Sequence, residues 1–349
     1  MAELMKILSA VKDMGASDAH FQDKKPVMVR VEGVLKKYSD ECMGEGETEA
    51  FFSGMADEDK IKELNRSGRI RFAIDTGNAG RIRTDLFLER GGYSAVVRFI
   101  PDHIPDTERC EIPKEITELT HNRSGIIIFS GSHGSGKTTA AASLTDHINH
   151  NREAHIVTVE NPVEYVFDSG RSMITQIEAG SDAGSMRDAI KEAAAIDSDV
   201  IMVGDMTGKD EIKEVINAAG SGRLVIAVMN ETGADDVIRQ IIRAEDKDRR
   251  DDIKERLSSV IRAVVITDLI PGKEGRRIPV HEIMIADQAV RNLIREEKYN
   301  QINTMIQTGK NRGMITMDDD LYELCILERI DKETAIRYSR IPENMKRKL

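Results

Sequence analysis

Hydrophobic and polar positions change their rhythm near residue 113. Before that point the periods are mixed. Leu4, Ile7, Leu8 and Val11 recur at helical spacing and predict an amphipathic helix at the start of the chain. Val27 to Val31 alternates as a short strand before Gly33. Arg69 to Ile74 and Arg81 to Leu88 read as two strands joined at Gly77-Asn78-Ala79-Gly80, and Tyr93 to Ile100 as another. Pro101-Asp102-His103-Ile104-Pro105-Asp106 carries two prolines and no periodicity, which marks a linker. Beyond it, short β-branched runs alternate with helical stretches: Gly125 to Phe129, His155 to Val159, Asp199 to Val203 and Leu224 to Val228. Continuous apolar runs separated by helices predict buried parallel strands of an α/β sheet. After about residue 288 the pattern is helical, and Val290, Leu293 and Ile294 share one face of Ala289 to Glu296. The expected organisation is a mixed unit over residues 1–100, a linker over 101–112, a parallel-sheet domain over 113–288 and a helical region over 289–349.

Composition narrows the classes. A length of 349 residues suits two domains, and 40% hydrophobic residues suffice for a sizeable core. Lys and Arg number 50 against 61 Asp and Glu, a net charge of −11, so no nucleic-acid partner is expected from phosphate attraction. Aromatics are 4% of the chain with no Trp, which argues against a base-stacking platform. Cys42, Cys110 and Cys325 are far apart and form no CxxC pair, so isolated buried thiols in a reducing compartment are expected. No apolar run approaches the roughly 18 residues of a membrane span. Glu3, Lys6, Lys12 and Asp13 interrupt any signal-peptide core. A cytoplasmic protein is expected, held at a membrane only by a partner. The run Glu245 to Asp252 reads as the solvated, mixed-charge start of a helix.

Residues Gly131-Ser132-His133-Gly134-Ser135-Gly136-Lys137-Thr138 match G-x-x-x-x-G-K-[ST] in full. A strand pattern precedes the motif and a helix pattern, opening with Thr139, follows, which is the context a phosphate-binding loop requires. Glycines let successive N–H groups turn inward around phosphate oxygens, and the helix N-terminus adds partial positive charge. Lys137 is placed for the β- and γ-phosphates and Thr138 for Mg²⁺. ATP and Mg²⁺ are therefore the expected ligands. The strand at 155–159 ends in Glu160-Asn161-Pro162-Val163-Glu164, and the strand at 199–203 in Gly204-Asp205. If these strands neighbour the loop-bearing strand, their acids lie near the phosphates. One carboxylate, Glu160 or Asp205, can then hold the Mg²⁺ shell while another polarises the attacking water.

These motifs resemble the PilT family of type IV pilus retraction ATPases, within the secretion ATPase superfamily. Gly15-Ala16-Ser17-Asp18-Ala19-His20 is similar to the family's GASDLH, Val29 to Gly33 to its RVDG strand, and Gly80-Arg81-Ile82-Arg83 to its GRFR. Thr158 to Glu164 resembles its acidic box, His281-Glu282-Ile283-Met284 its HEIM, Ala289 to Glu296 its AIRNLIRE, and Ile341 to Asn344 its IPEN. The resemblance implies a PAS-like α+β N-terminal domain, a RecA-like ATPase domain and a hexameric ring. It makes Glu164 the water-activating carboxylate. It also implies that Arg83, with Arg81 beside it and Arg277 as a further candidate, reaches a neighbouring subunit's nucleotide as an arginine finger. The chain lacks the extra N-terminal region and four-cysteine module of pilus assembly and type II secretion ATPases, so retraction is favoured over assembly. An inner-membrane platform protein is the implied partner, and a second retraction ATPase a further one.

Several family positions differ. Asn161 stands for Asp in the acidic box, and Asp205 and Thr207 for Glu and Arg in the Walker B region. Ala195 stands for an Arg, and Arg223 and Asn230 for the two histidines of the His box. Asn230 can still bond a phosphate oxygen but cannot become a cation. With the cradle intact and these changes expected to cluster around the nucleotide, slow or partner-dependent turnover is expected. Two readings remain open: a retraction motor, and a weakened paralogue that scaffolds or regulates a competent ATPase.

Overall fold

The structure, a computed structural model, describes residues 2–90, 92–273 and 275–349. The chain divides into two compact units, Met1–His103 with Pro162–Val166, and Ile104–Asn161 with Phe167–Leu349.

In the first unit, α1 (Ala2–Asp13) leads into β1 (Ala16–Gln22), β2 (Pro26–Val31) and β3 (Val34–Cys42). Then come α2 (Glu47–Ser53), α3 (Glu58–Ser67), β4 (Arg69–Asp75), β5 (Arg81–Glu89) and β6 (Gly92–Phe99). The sheet order is β3-β2-β1-β6-β5-β4, antiparallel at every step, the PAS-like α+β arrangement. Leu4, Leu8 and Val11 of the expected stripe are buried, joined by Phe21, Phe51 and Phe52. The rings of Phe21 and Phe52 meet edge to face at 5.1 Å, which adds to their area burial. Sequence rhythm does not reveal β3, because this edge strand exposes Val34 and Leu35 and has no buried face to imprint an alternation.

The second unit begins with α4 (Lys114–Glu118), β7 (Gly125–Ser130), α5 (Lys137–Asn151), β8 (His155–Glu160) and β9 (Met173–Glu178). It continues through α6 (Met186–Ala195), β10 (Val200–Val203), α7 (Lys209–Gly220), β11 (Leu224–Val228), α8 (Ala234–Arg243) and α9 (Arg250–Val260). Strands β12 (Ile261–Pro271) and β13 (Arg277–Ile285) close the sheet, whose order is β13-β12-β7-β11-β10-β8-β9. All pairs are parallel except β12 with β13, the RecA-like arrangement with an antiparallel edge. The four apolar runs of the sequence are β7, β8, β10 and β11, buried along their whole length apart from His155. Strand β12 is as apolar as these. It follows α9 directly at Val260–Ile261, with no Gly or Pro between them to punctuate the change.

Helices α10 (Gln288–Arg295), α11 (Ile302–Thr308), α12 (Met317–Ile326), α13 (Lys332–Tyr338) and α14 (Pro342–Lys348) complete the unit. Val290 and Ile294 are buried in one hydrophobic cluster with the sheet, and Leu293 packs against it. Two expectations need correction. Cys42 is exposed and Cys110 and Cys325 are half-buried, so the thiols are free but not buried. Glu245 is not a solvated acid: it is buried, with Lys209 Nζ 2.9 Å away. Among the described residues no helix is long and apolar enough to cross a membrane.

The first turn of α12 holds a strained charge. Asp320 accepts a hydrogen bond from the His281 N–H at 2.7 Å, but burial pushes its carboxyl up from 3.8 to about 6. The unfolded chain gives up this proton near pH 3.8 while the folded chain keeps it, so stability falls as pH rises from about 4 to about 6 and stays lower above that. Asp320→Asn keeps an acceptor and removes the ionisation. Thermal melts are expected to show the variant more stable at pH 7, by at most about 3 kcal/mol, and matched to the parent at pH 4. A variant less stable at pH 7 contradicts this.

Candidate functional site

The carboxyl ends of β7, β11, β10 and β8 lie side by side. Val228 pairs with Phe129, Ala227 with Val203, and Val203 with Val159. From this edge leave the glycine-rich turn, Asn230 and Asp205, and Glu160 closes the last strand. Ligands of parallel α/β sheets bind at such an edge.

Residues 131–136 turn the chain from β7 into α5. Gly134 and Gly136 have φ of 79° and 89°, a left-handed backbone that side chains avoid. A Cβ on Gly131 would lie 2.2 Å from the Thr267 carbonyl oxygen and 2.7 Å from Ser135 Oγ, so only glycine fits. Ser132 and His133 are exposed; Ser135 is buried, with an Oγ that has no hydrogen-bond partner. Lys137, 7% exposed, bends back over the turn and donates to the Ser132 carbonyl at 3.0 Å. Thr138 and Thr139 are half-buried in the first turn of α5. Inward backbone, an orphaned hydroxyl, an ammonium and a helix N-terminus together suit the phosphates of a nucleoside triphosphate.

Asp205 and Asn230 are brought together, with Asn230 Nδ2 donating to Asp205 Oδ1 at 3.1 Å. Glu160 is buried and accepts from Thr158 Oγ1 at 2.9 Å. Gly204 packs on it: a Cβ there would meet Glu160 Cγ at 2.9 Å. The acid-bearing strands do not directly neighbour the loop-bearing one. Strand β11 separates β7 from β10, and β8 lies beyond β10. The strands directly beside the loop-bearing one are therefore β11, which leads to Asn230, and β12, whose Thr267 carbonyl approaches Gly131.

Glu164 belongs to the first unit. It forms an ion pair with Arg83, which also lies 3.8 Å from Asp85. Arg81 donates to the carbonyls of Val163 at 2.8 Å and Glu164 at 3.0 Å. Both arginines thus hold the 162–166 segment of their own chain. Arg277, at the start of β13, approaches the Gly134 carbonyl of its own chain at 3.5 Å.

The altered positions do not all gather here, contrary to expectation. Arg223 precedes β11 and donates to the Ala194 carbonyl at 2.7 Å, and Ala195 ends α6. Both lie at the amino ends of the strands, about 16 Å along β11 from the phosphate edge. Asn161, Asp205, Thr207 and Asn230 instead follow the carboxyl ends of β8, β10 and β11, and of these Asp205 and Asn230 touch. Two groups to which the sequence assigned no role also reach the site's loops: Glu282, quoted above only as part of a motif, whose Oε1 accepts from the Ala234 N–H at 2.9 Å, and Arg340, which donates to the Thr232 carbonyl at 2.5 Å. The available signal was a carboxylate set among the apolar residues of β13.

Comparisons agree with this geometry. Residues 1–271 match the Type II/IV secretion system protein family. The chain is 29% identical to the type IV pilus retractation ATPase PilT of Pseudomonas aeruginosa, over 98% of this chain and 99% of that one. It is 32% identical to a twitching motility protein of Neisseria gonorrhoeae, over 91% and 85%. The crystal structure of the pilus retraction motor PilT with bound ADP superposes with a TM-score of 0.84 at 32% identity, covering 98% of each chain. The chain belongs to the Type II/IV secretion system protein family, as a PilT-type ATPase whose phosphate cradle is intact and whose Walker B and His-box positions are changed.

Proposed function

We propose that this ATPase is a hexameric motor that powers type IV pilus retraction, drawing pilin out of the filament from the cytoplasmic face of the inner membrane through a platform protein. The observation that carries this reading is the intact cradle, with Lys137 folded over the Ser132 carbonyl, in a chain similar from end to end to retraction ATPases. In this reading Gly131 to Thr139 bind the triphosphate, and Asn230 contacts a phosphate oxygen. The Thr138 hydroxyl and the Asp205 and Glu160 carboxylates would hold a Mg²⁺ ion, which would supply positive charge against the transferring phosphoryl group. Glu164 accepts the proton of the attacking water. Arg83, Arg81 and Arg277 supply the positive charge that the transferring phosphoryl group requires, and Arg83 must first leave Glu164 to do so.

The Asp205–Asn230 hydrogen bond favours a second reading, a weakened paralogue that scaffolds or regulates a competent retraction ATPase. An amide engages the carboxylate meant for the metal's water shell, and this amide cannot become cationic. Glu164→Gln separates the two readings. The motor reading expects turnover to fall by about 10²–10⁴-fold with nucleotide binding retained, and twitching to stop in cells. Unchanged turnover and twitching would remove Glu164 from the chemistry and favour the scaffold.

A further inference from the structure

We propose that the ion pair between buried Glu282 and exposed Arg340 is a strut through which the C-terminal helices hold the loop after β11, making both residues positioning residues for Asn230. The inference rests on the reading of Asn230 as a phosphate contact.

The loop of residues 229–234 is anchored at both ends and along one side. At its start, the Met229 N–H donates to the Phe129 carbonyl at 2.9 Å, and Ser130 Oγ donates to the Glu231 carbonyl at 2.6 Å. These bonds tie it to β7, beneath the glycine-rich turn. At its end, Ala234 is the first residue of α8, and its N–H is one that no helical carbonyl can satisfy. Glu282 supplies the acceptor, a carboxylate at a helix N-terminus where the partial positive charge favours it. The side chain of Glu282 is 1% exposed, so its charge needs a partner, and Arg340 lies 3.1 Å away. The same guanidinium donates to the Thr232 carbonyl at 2.5 Å. One arginine therefore bonds the middle of the loop and the carboxylate that fixes its end.

Arg340 is itself held by the C-terminal helices. It sits between α13 and α14, and Asp318 of α12 accepts its backbone N–H at 2.7 Å and that of Ile341 at 3.3 Å. Asp318 to Arg340, Arg340 to Glu282 and Thr232, and Glu282 to Ala234 form one continuous chain of polar contacts. It runs from the last helices of the protein to the loop that presents Asn230 to Asp205. A cavity of about 190 Å³ lies beside the strut, lined by Gly131, Thr232, Asp268, Tyr338 and Arg340 among others. It gives the loop room to shift once the guanidinium is removed. A shift of the order of 1 Å at such a loop suffices to slow chemistry without abolishing binding.

The test uses the full-length protein with Arg340→Gln, Arg340→Lys, Glu282→Gln and the double variant Glu282→Gln/Arg340→Gln. Arg329→Gln, which breaks the ion pair with Glu111 in the same helical region, is the control for a merely structural loss. Arg340→Gln is expected to lower kcat by about 10- to 100-fold at unchanged affinity for a fluorescent ADP analogue. Arg340→Lys is expected to recover part of the loss, and the double variant to be no worse than Arg340→Gln, because both residues belong to one strut. Hydrogen exchange at the Ala234 amide is expected to quicken about tenfold or more in Arg340→Gln, and to stay unchanged in Arg329→Gln. Unchanged exchange at Ala234 overturns the strut whatever the turnover. Faster exchange with parental kcat, or a kcat loss that Arg329→Gln reproduces, overturns its link to catalysis. If the parent itself does not hydrolyse ATP, the proposed function falls, while the exchange measurement still decides the strut.

Discussion

Replacing Lys137 with alanine is expected to cut ATP turnover by about 10²–10³-fold. Lys137 is buried, and its ammonium is held over the glycine-rich turn by the Ser132 carbonyl. Its charge is thus held close to where the phosphates would sit, so little side-chain ordering remains to be done on binding. The other groups of the cradle are backbone N–H dipoles and hydroxyls, none of which carries a full charge. The fold should tolerate the change, because Lys137 opens α5 and alanine is the best helix former. Phosphate release at saturating ATP measures the loss, with a thermal melt alongside to establish that the variant is folded. Turnover at the parental rate in a folded variant contradicts the assignment of the cradle.

Restoring the family's residues is expected to work in the opposite direction. Asp205→Glu with Asn230→His should raise kcat by about 10²–10³-fold, because each position is a charged or chargeable contact near the transferring phosphoryl group. In the present pair the Asn230 amide donates to the Asp205 carboxylate at 3.1 Å. A glutamate reaches one methylene further from the end of β10, and a histidine can carry a proton where asparagine cannot. Because the two side chains touch, their effects should not add: each single reversion is expected to give less than half of the combined gain in log kcat. A double reversion that binds nucleotide normally and turns over no faster than the parent would show that these substitutions do not limit the rate.

The parts of this protein that local rhythm encodes were readable from the residues. A continuous apolar run is a buried strand because both faces of a parallel sheet are covered, and β7, β8, β10 and β11 were legible for that reason. The phosphate cradle was legible because its chemistry lies in eight consecutive residues. Strand order was not, because it is set by how crossover helices pack and not by any one segment. That order puts β11 between the cradle and Asp205. Contacts between distant segments were equally hidden. Arg83 meets Glu164, and Arg340 meets Glu282, across long stretches of chain with no local signature beyond a charge at each end. The motif resemblance marked Arg83 and Glu164 as functional residues but gave no sign that they pair within one chain.

In the proposed function the loop around Lys137 grips a triphosphate for hydrolysis. Calorimetric titration of a non-hydrolysable ATP analogue with Mg²⁺ into the parent and the Lys137→Ala protein tests it most directly. Saturable binding is expected for the parent, and binding at least about tenfold weaker for the variant. Equal binding by both, or no binding by the parent, would contradict it.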